Sequence, residues 1–472
     1  MRNALFTESQ FEQMGTEVAQ VLAEVGYAVD HPRVRAMAGK AGCRESPQGR
    51  LLFSAEQIDC LRRRLLAQYP PVDLDAGVGI VHPRREFRAH LGNLTPKYFN
   101  YASGKAEGGD ARNFADLMRF AQMDPRVTGV GIPVSRQDIP PQTEQLESIL
   151  AMATMTDKSL GSADPLIPET VPYLAAMGEV LGLAPTAFVG QCNCINPPLR
   201  LEHRTAETML RRSRYHATSM ITPMPSIGGS GPVDIHGCVI LATAEIVGGL
   251  ILSMIIDPEA PLLGYIACNQ VDMLTANGTS STPQTIRVDA GVYQLMEACF
   301  GGGTRVGGRS YISARRPGMQ AVFERFLKAV GYSSLVDRHA IGLGGAGNLD
   351  NGSMVSPEQF LLDLEMGEGL DWVWTQPLVP PPGDAAARIR ETVLHAGGDF
   401  LSSDHTLASF RKEMWPSRYF QALTDTRTER QILDRCHAEF RAVVASYVPA
   451  SHSDSVLRSL RGIVKAAREE LL

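Results

Sequence analysis

Between residues 86 and 370 the chain alternates: eight short runs of β-type residues each give way to a helix-type segment. Just past each run the composition shifts from core residues to Gly, Asn, Asp, Gln, Tyr and Arg. Strand–helix alternation at this spacing implies parallel βαβ units. Eight such units in succession make a (β/α)8 TIM barrel, whose active site is built at the C-terminal ends of its strands. The expected fold class is therefore α/β, and the residues just after each run are the candidate site.

The runs fall at 87–91, 127–134, 158–163, 186–194, 219–224, 261–267, 304–311 and 339–345. Their helical partners fall at 111–123, 143–155, 168–181, 204–217, 233–255, 285–299, 319–330 and 356–369. A barrel needs about 250 residues, and the chain has 472, so the remainder is added at the termini. Residues 1–80 are expected to form a helical N-terminal cap. Phe11, Met14, Val18, Val21 and Leu22 recur at helical spacing,. Asp30-His31-Pro32 reads as a turn, and Ser54 followed by Gln57 reads as the capping box of a second helix,. The barrel domain then spans 81–378. Beyond the proline-rich 379–383, a helical C-terminal segment runs over 379–472, with helices at 385–395, 428–446 and 453–472,.

A net charge of −6 argues against a partner such as nucleic acid, held by a basic surface,. The most apolar stretch, 238–256, contains Glu245 and paired glycines, which suits a buried barrel helix better than a membrane span. The N-terminus is polar, without an apolar signal core,. A cytoplasmic protein without membrane contact is expected. The 8 cysteines are scattered, so a disulfide framework is not expected,.

Individual motifs carry less. Gly342 to Gly347 matches G-x-G-x-x-G, but no helix opens at its last glycine, so a dinucleotide site is rejected,. What remains is a glycine loop that lets a ligand approach the backbone closely. His236 and Cys238, with Cys268 or Cys299, have spacing a zinc site would tolerate, yet they open an apolar helix where cysteine usually packs; no metal is expected,. Cys192 and Cys194 would share one strand face, a weak metal signal,. Glu245, within an apolar helix, must be paired or protonated, and a structural hydrogen bond to a neighbouring loop accounts for it as well as catalysis does. Arg309, Tyr311 and Arg315 follow the seventh run, where they form either a salt-bridged rim or a fork for a substrate carboxylate,. Gln191, Asn193 and Asn196 end the fourth run; Asn348, Asp350 and Asn351 follow the eighth. Such amides bind ligands or stabilise turns. His405 reads as a neighbour of a helix N-cap.

Several stretches then fall in a familiar order. Pro223 to Pro232 leads through Thr243-Ala244-Glu245 to Asp257-Pro258-Glu259-Ala260-Pro261. Gly307 and Gly308 are followed by Gln320-Ala321-Val322-Phe323-Glu324, Gly345 to Gly347 by Ser356-Pro357-Glu358-Gln359, and Phe400-Leu401 by Asp404-His405-Thr406, Phe410-Arg411 and Trp415. In this order the chain, from about Phe87 to Trp415, resembles the trimethylamine methyltransferase family of corrinoid-dependent enzymes. It departs from the family pattern at Thr243, where asparagine is expected, and at Ser310 to Arg315, where a Thr-Asp-Ser-Lys-like stretch is expected.

The resemblance implies a TIM barrel that moves a methyl group from a methylated amine to the Co(I) of a corrinoid (cobalamin) carried by a cognate partner protein. One branch of the family carries pyrrolysine; this chain resembles the other, which demethylates quaternary amines such as glycine betaine. On that reading Asp350 and Asn348 are the catalytic candidates. Tyr311, Asp350 and Tyr265 would hold the cation, and Arg309 a substrate carboxylate. Gln191, Asn196 and Asn348 would supply hydrogen bonds, and Gly345 and Gly347 would let the corrinoid come close. Apolar helix faces on the terminal segments suggest a homo-oligomer. The competing readings are a degenerate barrel that only binds a methylated amine, and a zinc-dependent thiol methyltransferase resting on His236, Cys238 and Cys268.

Overall fold

Three helices precede the first barrel strand. In the computed structural model, which describes residues 3–70, 89–190, 192–307, 311–336, 345–375, 384–395, 397–420 and 428–472, these are α1 (Glu8–Gln20), α2 (Pro32–Lys40) and α3 (Ala55–Gln68). Ser54 and Gln57 form the capping box of α3 as expected, and Thr7 and Gln10 form another on α1,. The Asp30-His31-Pro32 turn is also the start of α2, because proline at a first helical position loses no hydrogen bond,.

Seven parallel strands follow: β1 (Ala89–Leu91), β2 (Val127–Val130), β3 (Ser159–Leu160), β4 (Cys192–Ile195), β5 (Ser219–Pro223), β6 (Leu262–Ile266) and β7 (Thr304–Val306). β1, β2 and β3 pair in order, as do β4, β5, β6 and β7. Ala163 N–H donating to the Phe188 carbonyl at 2.7 Å ties the two blocks together. The eighth run lies, except for Gly345, outside the described residues, as do Phe87, Arg88 and the linker 379–383. The helices between are α4 (Ala111–Met123), α5 (Glu144–Met155), α6 (Val171–Val180), α7 (His203–Arg212), α8 (Ile235–Ile256), α9 (Pro283–Leu295), α10 (Met319–Leu335) and α11 (Pro357–Thr375). One expectation needs correcting. The fourth run does not start as a strand: Pro185–Phe188 is a helical turn opened by its proline, and the strand begins at Cys192.

α8 is long and apolar enough to cross a membrane by composition alone, yet it is a buried core helix. One side packs on β5 and β6, and α1, α2 and α3 cover the other. A helix covered all round can be apolar all round. Its paired glycines face both ways. A Cβ on Gly248 would lie 2.6 Å from the Tyr27 ring of the cap, and one on Gly249 would lie 2.6 Å from Ile221 of β5.

The C-terminal segment contributes α12 (Ala385–Leu394), α13 (Asp404–Glu413), α14 (Glu429–Ala445) and α15 (Asp454–Leu471). α13 was not among the expected helices; Ser403 caps it. α14 packs on α4 and α11, and α15 on α5 and α6. Both termini therefore wrap the helical ring instead of standing apart from it.

Candidate active site

Barrel interiors are ordinarily filled by bulky branched side chains. This one is hollowed. At interior positions of β2, and just past β2 and β3, stand Gly129, Gly131 and Gly161, and the His90 ring from β1 lies across all three. A Cβ on Gly161 would come within 2.6 Å of His90 Nε2, and Cβ atoms on Gly129 and Gly131 within 3.1 Å of the same ring. Burial pushes the His90 pKa down, against the carbonyls of Gly92 and Val130, which favour the charged form; the imidazole is neutral at physiological pH,.

The space left is a cavity of ~640 Å³. Every described strand, or the residues just past it, contributes to its wall: His90 and Asn93, Gly131, Ser162 and Asp164, Cys192, Met220, Leu263 and Tyr265, and Arg305. Tyr311, past β7, closes one side. All seven described barrel strands thus contribute to one wall.

Asp164 is the carboxylate of this wall. Burial raises its pKa, and Arg212, 2.9 Å away, opposes the rise. Arg212 Nη1 also donates to Asn193 Oδ1 at 2.9 Å and to the Cys192 carbonyl at 3.2 Å. Asn193 in turn donates to Ser219, which bonds Ser253 of α8. This chain of polar groups fixes β4 against β5 and holds Asp164 at the cavity edge. Cys192 and Cys194, two residues apart, share the inner face of β4,. Burial pushes the Cys192 thiol up to about 12 and raises Cys194 as well. Neither is a thiolate near neutral pH, so neither competes as a nucleophile. Burial beside these thiols and Asp164 raises the Tyr311 phenol too, keeping it a neutral donor.

The loops at the mouth are held from behind by buried charges. Lys328 Nζ donates to the carbonyls of Tyr311 at 2.8 Å and Ser280 at 2.9 Å. Burial lowers its pKa, and buried Asp289 opposes the drop. Glu324 Oε2 accepts the N–H groups of Ser313 at 2.6 Å and Ala314 at 3.1 Å. Arg325, paired with Asp363 at 2.9 Å, donates to the Asn348 carbonyl, and Gln359 accepts from Gly318 N–H. These are the residues of the Gln320–Glu324 and Ser356–Gln359 motifs and their neighbours. Here the motifs are brackets for the mouth.

Of the residues expected at the site, Tyr265 and Tyr311 line the cavity. Gln191 and Arg309 lie outside the described residues. Asn196 is elsewhere, in a ~450 Å³ cleft against the cap with the cis Pro197-Pro198 bond, Asp30 and Arg50. Asp350 pairs with Arg315 at 3.2 Å and accepts from Ser353, in a turn where Asp350 and Asn351 both have positive φ. Arg315 is thus the salt-bridged rim. Asn348 is buried behind that turn. Gly345 and Gly347 are buried rather than presented to a ligand: Gly347 N–H bonds Asp363, and a Cβ there would lie 2.9 Å from Phe360. Gly352, in the same turn, packs on the Tyr311 ring, 2.8 Å from it when given a Cβ.

Glu245 takes the structural role: Oε1 accepts Leu199 N–H at 2.8 Å, and burial raises its carboxyl to about 8. His236 sits beside Glu17 at 3.5 Å, while Cys268 neighbours Cys238. Among the described residues no group of three His, Cys, Asp or Glu is placed to hold a metal. His405 is exposed in the first turn of α13. Sequence reasoning missed His90 and Asp164. The glycines at 129, 131 and 161, alternating within strand runs, were the available signal, and Asp164 follows its run as closely as Tyr311 follows its own.

The model of the family described as trimethylamine methyltransferase (MTTB) matches residues 2–471. The chain is 22% identical over 382 residues to the trimethylamine methyltransferase MttB of Desulfitobacterium hafniense, covering 76% of this chain and 72% of that one. It is 23% identical over 377 residues to a glycine betaine methyltransferase from another strain of that species, covering 77% and 75%. Among solved structures, the monomethylamine methyltransferase (MtmB) of Methanosarcina barkeri aligns over 95% of this chain and 89% of its own, at a TM-score of 0.44 and 9% identity. With a family match from end to end, the chain belongs to the trimethylamine methyltransferase family and is a methyltransferase.

Proposed function

We propose that this protein is a cytoplasmic enzyme that transfers a methyl group from a quaternary or tertiary amine, betaine-like in character, to the Co(I) corrinoid of a partner protein. The observation that carries this reading is the lining of the cavity. One carboxylate, Asp164, two phenols, Tyr265 and Tyr311, and a neutral imidazole line one hollow. Carboxylates and aromatic faces are what attract an alkylated ammonium. Arg305, in the same wall, suits a substrate that also bears a carboxylate,.

The chemistry asks little of the protein beyond placement. The C–N bond breaks with its electron pair remaining on nitrogen, and the methyl group bonds to the acceptor's electron pair. No proton is needed when the amine is quaternary. Asp164 and the phenols orient one methyl group toward the open mouth, and orientation of this kind supplies much of the barrier lowering. The un-ionised thiols of Cys192 and Cys194 leave the methyl group to its acceptor. Corrinoid supplies the nucleophile when the partner docks at the mouth.

The test mixes purified protein with chemically reduced cobalamin and a panel of betaines and methylamines, and follows the visible spectrum. The expected result is the spectrum of methylated cobalamin with one compound, and a KM tens of times higher in Asp164→Asn. Tight binding of a betaine by calorimetry with no methylation, in the presence of its own corrinoid protein, would leave a binding protein instead.

A further inference from the structure

A buried ammonium is costly unless its hydrogens and its charge are both answered. Lys328 of α10 is 2% exposed. Its Nζ donates to carbonyls on two different loops: Ser280, past β6, at 2.9 Å and Tyr311, past β7, at 2.8 Å. Two neutral acceptors answer the hydrogens but not the charge. The charge is answered by Asp289 of α9, which is fully buried. Asp289 Oδ1 accepts Cys268 N–H at 2.7 Å, and Oδ2 accepts the Tyr332 hydroxyl at 2.5 Å. Cys268 and Ser280 stand at the two ends of the loop that follows β6. Lysine and aspartate therefore hold both ends of one loop and the root of the next.

The junction they hold carries part of the cavity wall. Ser280 N–H donates to Ser313 Oγ at 3.1 Å, and Ser280 Oγ to Asn351 Oδ1 at 2.7 Å. Gly352, next in the chain, packs on the Tyr311 ring. The Tyr311 backbone is thus fixed by Lys328, and its ring rests on a turn anchored at Ser280. The groups around the ammonium are Asp289 from α9, the Cys268 thiol past β6, and Glu324, Arg325 and Tyr332 from α10; Asp363 of α11 pairs with Arg325. Burial is the largest influence and lowers the ammonium from 10.5 to about 8; Asp289 opposes the drop, and Arg325 adds to it. The proton is held below that pH and lost as pH rises through it. A neutral amine keeps N–H groups, but a charge-assisted hydrogen bond is roughly twice as strong as a neutral one.

We infer that Lys328 is a positioning residue of the methyl-transfer site: through the Tyr311 carbonyl, and with Asp289 behind it, its charge sets where the Tyr311 ring stands in the cavity wall, and its titration makes affinity for the amine fall on the alkaline side of neutrality. The second half rests on the reading above, in which Tyr311 borders the amine; the first half does not. Glu324, Arg325 and Gln359 hold loops as well, but Lys328 is the one whose acceptor belongs to a residue lining the cavity.

The experiment places 4-fluorophenylalanine at position 311 of the full chain and follows its fluorine resonance from neutral to alkaline pH, with no amine or corrinoid present. That side chain has no proton of its own to lose. The expected result is a resonance that moves with a midpoint near 8 and stays still in Lys328→Met. Asp289→Asn keeps an acceptor for Cys268 and Tyr332 but removes the opposing charge, so its midpoint should fall by about 1 pH unit or more. This second variant decides the matter if Lys328→Met does not fold. With native Tyr311, KM for the amine should rise several-fold over the same range with kcat unchanged, and Lys328→Met should show a raised KM that no longer depends on pH. A resonance that does not titrate, one that titrates equally in Lys328→Met, or a midpoint unmoved in Asp289→Asn overturns the inference. A resonance that titrates as expected beside a KM flat with pH removes Tyr311 from the amine site and overturns the second half. A protein that methylates no amine sinks the proposed function and that second half with it, while the fluorine resonance still decides the first.

Discussion

α8 and α10 are both barrel helices, and they spend their side chains in opposite ways. α8 is apolar on every face, with Glu245 as its buried carboxyl, and it is covered on both sides, by strands and by cap. α10 turns Glu324, Arg325 and Lys328 inward and leaves Met319, Phe323, Phe326 and Val330 outside. α8 contributes apolar burial, which is non-directional and tolerates rearrangement. α10 contributes charge-assisted hydrogen bonds to named backbone atoms, which fix loop position. One helix makes the barrel stable, and the other gives its mouth a shape.

That contrast can be broken most sharply at Arg325. Removing it in Arg325→Met strands Asp363 in the interior, and unfolding free energy should fall by about 3–5 kcal/mol. Denaturant titration reads this directly, and a loss below 1 kcal/mol would remove the distinction between the helices. On the α8 side, Glu245→Gln should behave differently. The Glu245 carboxyl is raised from 4.5 to about 8, so the folded state keeps a proton that the unfolded state releases. The wild type therefore loses stability as pH rises from near 4.5 through about 8, and the Gln variant does not. The variant should match wild type at pH 4 and exceed it by about 4–5 kcal/mol near pH 8.5. A difference that stays flat with pH would place Glu245 in a less buried setting.

A smaller effect separates stability from shape. Gly248→Ala drives a methyl group against the Tyr27 ring and should cost about 1–3 kcal/mol by overpacking, with KM for the amine unchanged. Gly352→Ala should do the reverse. Its φ is +82°, and its new Cβ would meet the Tyr311 ring. Stability should drop by only about 1 kcal/mol, while KM rises several-fold because Tyr311 is pushed into the cavity. If Gly352→Ala left KM alone, Tyr311 would not be part of the binding wall.

The same contrast explains what could be read from the sequence. The strand–helix order, the capping boxes at Ser54 and the buried fate of α8 follow from local patterns, and local patterns survive in a one-dimensional string. The Glu245 hydrogen bond to a loop was expected for the same reason: a lone carboxylate in an apolar helix has few other options. The site was only half legible. Tyr265 and Tyr311 follow from their places near strand ends. Asp350, Asn348 and Gly347 share such places but belong to the bracket, because which end-of-strand residue turns inward depends on long-range contacts such as Arg325 to the Asn348 carbonyl. His90 escaped notice because its role depends on what is missing opposite it.

The glycines under His90 also give the protein a mechanical property. Whatever part of that hollow water does not fill is volume the chain surrenders on unfolding, so hydrostatic pressure should favour the unfolded state more than in a barrel of equal length with a filled interior. A ligand seated there would displace that volume, and the pressure needed to unfold the protein would become a gauge of how fully the hollow is occupied.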